Sequence, residues 1–137
     1  MISQKFPGRF ESLAKISECV AKAAQQAGFD EDEVYEIQLA VDEACSNIIE
    51  HAYGGEDQGD IECTCDGDKT GLKIIIQDWG DTFDPTSIPE PDYQKPLDEI
   101  KFGGAGLILI KKIMDEVDYN CSPKKGNTLT MVKLKTS

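Results

Sequence analysis

With 137 residues the chain is the length of one ordinary domain, long enough to bury roughly two-thirds of its unfolded surface. Its 39% hydrophobic and 29% charged residues exclude a disordered chain and a fibrous repeat. Lys and Arg number 14 against 26 Asp and Glu, a formal net charge of −12, and a field of that sign repels phosphate backbones and anionic lipid.

Any nucleotide bound here therefore needs a local site built from backbone N–H groups, a metal or a few placed cations. No apolar run approaches the ~18 residues of a membrane span, and the first ten residues carry no apolar signal core. The expected location is the cytoplasm. Five cysteines (Cys19, Cys45, Cys63, Cys65 and Cys121) form no C-x-x-C pair, so they read as reduced, mostly buried small hydrophobes. With one histidine in the chain, a structural zinc site would need mostly cysteine ligands, and these lack the usual spacing.

The elements follow in chain order. Leu13, Ile16, Val20, Ala24 and Ala27 recur at steps of three and four, predicting an amphipathic helix over 9–27 with Gly28 as its stop. A second helix opens at Asp30, with Glu33 completing a capping box, and runs through Val34, Ile37, Val41, Ala44, Ile48 and Ala52 to Gly54-Gly55. The period then changes from 3.6 to 2. Ile61, Cys63 and Cys65 alternate with polar residues, and a Gly67-to-Gly71 turn leads into 72–78, which predicts a hairpin. A third helix is expected over 106–117, followed by two short strands around Gly126-Asn127. Helices first and antiparallel strands after them point to an α+β fold, a two-layer sandwich with helices on one face of the sheet. Between Asp81 and Phe102 no periodicity is sustained, and four of the six prolines fall there. Such a segment inside one compact domain reads as a lid over a site.

Three clusters carry chemistry. On the second helix Glu43, Asn47 and His51 stand at i, i+4 and i+8, which places them on one stripe if the helix is regular. That stripe is either a solvated polar face or a site in which an amide carbonyl ligates Mg²⁺ and a carboxylate one turn away takes a hydroxyl proton. At the end of the hairpin, Asp78 shares the parity of Leu72, Ile74 and Ile76, so its carboxylate points to the buried face and needs a partner. Either a buried donor satisfies it, or it accepts the exocyclic amine of a base lying against Gly80, whose missing side chain allows close approach. The third cluster is the glycine run Gly103, Gly104 and Gly106 opening the last helix, whose free N–H groups can hold an anion. It matches neither a P-loop nor a dinucleotide fingerprint.

In this order the clusters resemble the N, G1 and G2 boxes of the GHKL superfamily, the histidine-kinase-like ATPases. The stretches DEACSNIIEHAYGG (42–55), DWGDTFDP (78–85), PEP (89–91), GGAGLILIKKIMDEVDY (103–119) and GNTLTMVKL (126–134) are similar to the bacterial anti-sigma-factor serine kinases. The resemblance implies a single GHKL-type ATP-binding domain over 1–137 with a nucleotide lid at about 81–103. It also implies an ATP-dependent serine/threonine protein kinase that binds ATP or ADP with Mg²⁺. Glu43 would be the general base and Asn47 the Mg²⁺ ligand, with His51 in the nucleotide cluster. Asp78 would take the adenine beside Gly80, with Thr128 near the base. Lys101, Gly103, Gly104, Gly106 and Leu107 would lie at the phosphates; Lys101 stands where members often carry arginine, which keeps the charge without the bidentate fork.

Members phosphorylate a serine on an anti-anti-sigma protein and hold a sigma factor in the alternative state, so the implied partners are those two proteins and a second copy in a homodimer, without nucleic acid or membrane. The other reading is a non-catalytic ATP/ADP-gated protein-binding switch of the same fold. Glu43 favours the kinase, because a pure binding module has no use for a carboxylate there.

Overall fold

The computed structural model describes residues 1–81, 104–122 and 126–135, with the backbone alone for residues 104–108. Its elements are β1 (Ile2–Pro7), α1 (Ser12–Ala27), α2 (Glu31–Asn47), a π-helical turn (Ile48–Ala52), β2 (Asp60–Gly67), β3 (Gly71–Asp78), α3 (Gly104–Ile113), β4 (Glu116–Ser122) and β5 (Gly126–Leu134). The five strands form one sheet in the order β1-β2-β3-β5-β4, and every neighbouring pair is antiparallel. With the helices packed on it, this is the α+β two-layer arrangement expected from the order of the periodicities.

Local chemistry accounts for α1 and α2. Ile16, Val20, Ala23 and Ala24 form the buried stripe of α1, and Gly28 ends it at φ +99°, a conformation few side chains tolerate. Asp30 then accepts from the Glu33 N–H at 2.8 Å while Glu33 reaches back to the Asp30 N–H, the reciprocal cap read from the sequence. Both buried stripes meet the inner face of the sheet, where Ile61, Cys63, Cys65, Leu72, Ile74, Ile76, Leu129 and Met131 are buried. The five cysteines are free thiols; Cys45, Cys63 and Cys65 are buried in this core, whereas Cys121 is exposed.

The structure departs from the sequence reading at five points. The N-terminal residues form a strand, β1, pairing Ile2 to Pro7 with Cys65 to Asp60; one buried residue, Phe6, leaves too weak an alternation to read. The first helix opens at Ser12, not Arg9, after a bend in which the Ser12 hydroxyl donates to the Pro7 carbonyl at 2.7 Å. Helix α2 ends at Asn47, and the chain continues through a wider turn in which the Tyr53 N–H bonds the Ile48 carbonyl five residues back. Helix α3 stops at Ile113, whose carbonyl accepts from the Lys133 ammonium at 2.8 Å; Val117 belongs to β4, opposite Met131. The last two strands are correspondingly long, and Gly126-Asn127 opens β5 instead of forming a turn.

Candidate functional site

Asn47 ends α2 and Asp78 ends β3, and the fold brings them to one pocket together with Ala44, Ile48, Ala52, Ile110, Tyr119 and Leu129. The pocket is about 370 Å³ counted out to its open mouth. It is narrow and apolar, with one amide and one carboxylate among its described lining. That is the composition expected of a site for a flat, largely apolar ring carrying a few hydrogen-bonding edges.

Asp78 is 3% exposed. Its Oδ1 accepts from the Gly80 N–H and from Asn127 Nδ2, each at 2.9 Å. Burial raises its carboxyl above the ordinary carboxylate range, and these two bonds pull in the opposite direction without overcoming it. The buried-donor alternative is met at Oδ1, the oxygen that both protein bonds reach.

Asn47 is 4% exposed, and its side-chain Oδ1 has no hydrogen-bond partner among the described residues. A buried carbonyl oxygen left so costs about 1–3 kcal/mol and is a hard donor of the kind that Mg²⁺ accepts. The donor set therefore fits the ion implied by the resemblance. The π-helical turn begins at the next residue; such wide turns occur frequently at functional sites. Its consequence for the stripe is direct. His51 falls on the exposed outside of the turn and does not line the pocket.

Glu43, one α-helical turn before Asn47, is half-buried. The adjacent Asp42 has its Oδ1 buried without a partner among the described residues, and burial followed by the Glu43 charge raises its carboxyl.

The geometry gives Gly80 a different reason from close approach of a base. A Cβ there would lie 2.5 Å from the Ala52 carbonyl oxygen and 2.9 Å from the Tyr53 ring, so the absent side chain makes room for the π-helical turn. The Asp81 N–H bonds the same Ala52 carbonyl at 2.7 Å, and the Tyr53 hydroxyl accepts from the Trp79 N–H at 3.0 Å. These contacts fasten the end of β3 to the end of the turn.

Thr128 is also displaced from its expected place. It pairs with Gln77, and both are half-buried while the alternate residues Asn127, Leu129, Ile76 and Asp78 are buried toward the helices. Thr128 thus faces away from the pocket, and Asn127 takes the place beside Asp78. The parity rule that picked out Asp78 would have found Asn127, which alternates with Leu129 and Met131. No sequence signal singles out the orphaned oxygen of Asp42. Gly104, Gly106 and Leu107 lie in the first turn of α3. Lys101, Gly103 and nearly all of the expected lid at about 81–103 lie outside the described residues.

Residues 6–133 match the family described as the histidine kinase-like ATPase domain. Curated relatives include the serine-protein kinase RsbW of Bacillus thuringiensis and that of Bacillus cereus, each 32% identical over 136 residues, covering 96% of this chain and 83% of the relative. Among solved structures, the chain superposes on the RsbU and RsbW domains of a Mycobacterium tuberculosis protein with a TM-score of 0.62 at 15% identity, covering all of this chain and 34% of that one. On the catalytic domain of histidine kinase ThkA the TM-score is 0.57 at 16% identity, with both chains fully covered. At those identities the two structures speak for the fold alone, whereas the sequence matches speak for ancestry. The family match over residues 6–133 and the identity to these relatives over nearly the whole chain lead to one assignment: the chain belongs to the histidine kinase-like ATPase domain family and is homologous to the RsbW serine-protein kinases.

Proposed function

We propose that this protein is an ATP-dependent serine kinase and anti-sigma factor, which phosphorylates an anti-anti-sigma protein and in its other state holds a sigma factor. The observation that carries the reading is the Asn47 Oδ1 atom, buried without a partner among the described residues on the wall of the pocket that contains Asp78. A fold does not keep such an orphan for stability, and a bound cation offsets its cost.

In this reading Asp78 accepts a donor from the adenine edge, and the apolar walls at Ile48, Ala52 and Leu129 take the ring faces after widening from the present narrow opening. Asn47 supplies a neutral oxygen to Mg²⁺, which when bound neutralises phosphate charge. Gly104 and Gly106 offer backbone N–H groups at the start of α3 to the phosphates. Glu43 takes the proton of the attacking serine hydroxyl as its oxygen bonds to the terminal phosphorus, and the ADP oxygen leaves with the electron pair of the broken bond.

The net charge of −12 suits a partner with a basic surface, as a DNA-binding sigma factor has. A homodimer and a cytoplasmic location belong to the same reading. The test is transfer of label from γ-labelled ATP with Mg²⁺ to a serine of the candidate anti-anti-sigma protein, with Glu43→Ala as comparison. Transfer by the wild type that collapses in the variant supports the kinase. A wild type that binds Mg·ATP and the sigma factor yet modifies no candidate antagonist is a nucleotide-gated switch instead.

A further inference from the structure

Asn127 is 3% exposed and spends its amide on three oxygens at once: Asp78 Oδ1 at 2.9 Å, the Gly80 carbonyl at 3.1 Å and the Asp81 carbonyl at 3.3 Å. All three are acceptors, so the amino end must face them; the flipped amide would set its own oxygen against two carbonyls and a carboxylate. Gly126, immediately before it, has φ +76° and no room for a Cβ beside the Asp78 carbonyl, so β5 approaches the end of β3 closely enough for the amide to reach. The Gly80 N–H and the Asn127 amide both bond Oδ1. Neither reaches Oδ2.

We propose that Asn127 is the positioning residue for base selection: it fixes Asp78 as a one-sided, ionised acceptor, so that the pocket takes a nucleobase edge bearing an amino group and refuses one bearing an oxo group. This rests on the reading of the pocket as an adenine site. A carboxylate held by one oxygen keeps the other in a single place, where an amino hydrogen meets a lone pair and an oxo oxygen meets like charge. The bonds from Asn127 and Gly80 are also what restrains the upward pull of burial on this carboxyl. Without Asn127 the proton is held to higher pH, and a protonated Asp78 turns from acceptor to donor.

The titratable groups around Asp78 are Cys45 on α2 and Tyr53 after the π-helical turn, whose charges would reach it, and Tyr119 on β4, which lines the same pocket, with Asp60 on β2 beside Tyr53 and Asp81 three residues further on. Burial raises Cys45 and Tyr53 above their ordinary values, so both stay neutral where carboxyls titrate. Asp60 and Asp81 are exposed and solvated.

The experiment measures ADP and GDP affinity of the intact chain across pH by calorimetry, for wild type, Asn127→Ala and Asn127→Thr, the last returning one hydroxyl donor. Wild type is expected to prefer ADP by about tenfold or more, the worth of one charge-assisted hydrogen bond. In Asn127→Ala the ratio falls toward one, and the acid limb of ADP binding moves to higher pH. Asn127→Thr recovers part of both. A carbon-13 titration of the Asp78 carboxyl needs only folded wild type and the threonine variant, and should show the higher midpoint in the variant. A wild type that binds ADP no better than GDP overturns the adenine reading itself. A wild type that prefers ADP, beside a folded Asn127→Ala with unchanged ratio and unchanged acid limb, overturns the role of Asn127 alone. If the alanine variant does not fold, equal carboxyl midpoints in wild type and Asn127→Thr overturn it in the same way.

Discussion

Replacing Asn47 with leucine should make the unliganded protein more stable and the nucleotide-bound protein relatively less so. The side chain is 4% exposed and its Oδ1 has no partner among the described residues. Leucine has the same branching and meets Ala44, Ile48, Ala52, Ile110 and Leu129 across the pocket. Removing an orphaned buried acceptor recovers about 1–3 kcal/mol. For 137 residues the unfolding entropy is about 0.29 kcal/mol/K, so the unliganded Tm should rise by roughly 3–10 °C. With Mg·ATP at about 100 times its Kd, the wild type gains about 2.7 kcal/mol, or roughly 9 °C, from linkage. The variant gains little, because its hard oxygen ligand is gone. Thermal unfolding with and without Mg·ATP measures both halves. An Asn47→Leu protein that melts below wild type without ligand, or is stabilised by Mg·ATP as wild type is, refutes the reasoning: in the first case the amide is structural, in the second the metal lies elsewhere.

Glu43→Ala should bind Mg·ATP nearly as wild type does but lose ~10²–10⁴ in phosphoryl transfer, the usual contribution of a positioned base; a variant with unaltered transfer removes Glu43 from the chemistry. Gly80→Ala should cost ~1–3 kcal/mol in denaturant unfolding, because its Cβ meets the Ala52 carbonyl oxygen at 2.5 Å and the backbone must move; a change below about 0.5 kcal/mol would mean that the contact relaxes freely. Burial raises the Asp78 carboxyl in the folded chain, so this group favours folding when protonated, and its contribution is lost as pH rises through the folded value. Asp78→Asn should therefore raise Tm near pH 7 and lose that gain in acid, below the ordinary carboxylate range; a gain that grows on acidification would reverse the assigned sign.

What the sequence determined by itself were the features set by interactions within a few residues. The stripe at Ile16, Val20 and Ala24, the left-handed Gly28, the Asp30–Glu33 cap and the alternation of Ile61, Cys63 and Cys65 all appear in the structure where their spacing places them. The inward aim of Asp78 was legible for the same reason, since parity along a strand is local.

What tertiary structure decided were the features that depend on a partner distant in sequence. Strand β1 exists because β2 offers it a ladder, not because its residues alternate. Val117 suits a helical step from Met114 as well as a strand step to Tyr119, and its pairing with Met131 settles the matter. The wide turn at Ile48–Ala52, which carries His51 out of the stripe, is held by Gly80 and Asp81 against Ala52. Asn127, one residue from the expected Thr128, faces Asp78 because a shift of one position on a strand exchanges the two faces of a sheet. The register that chose between them comes from pairing with β3, across 49 residues of chain.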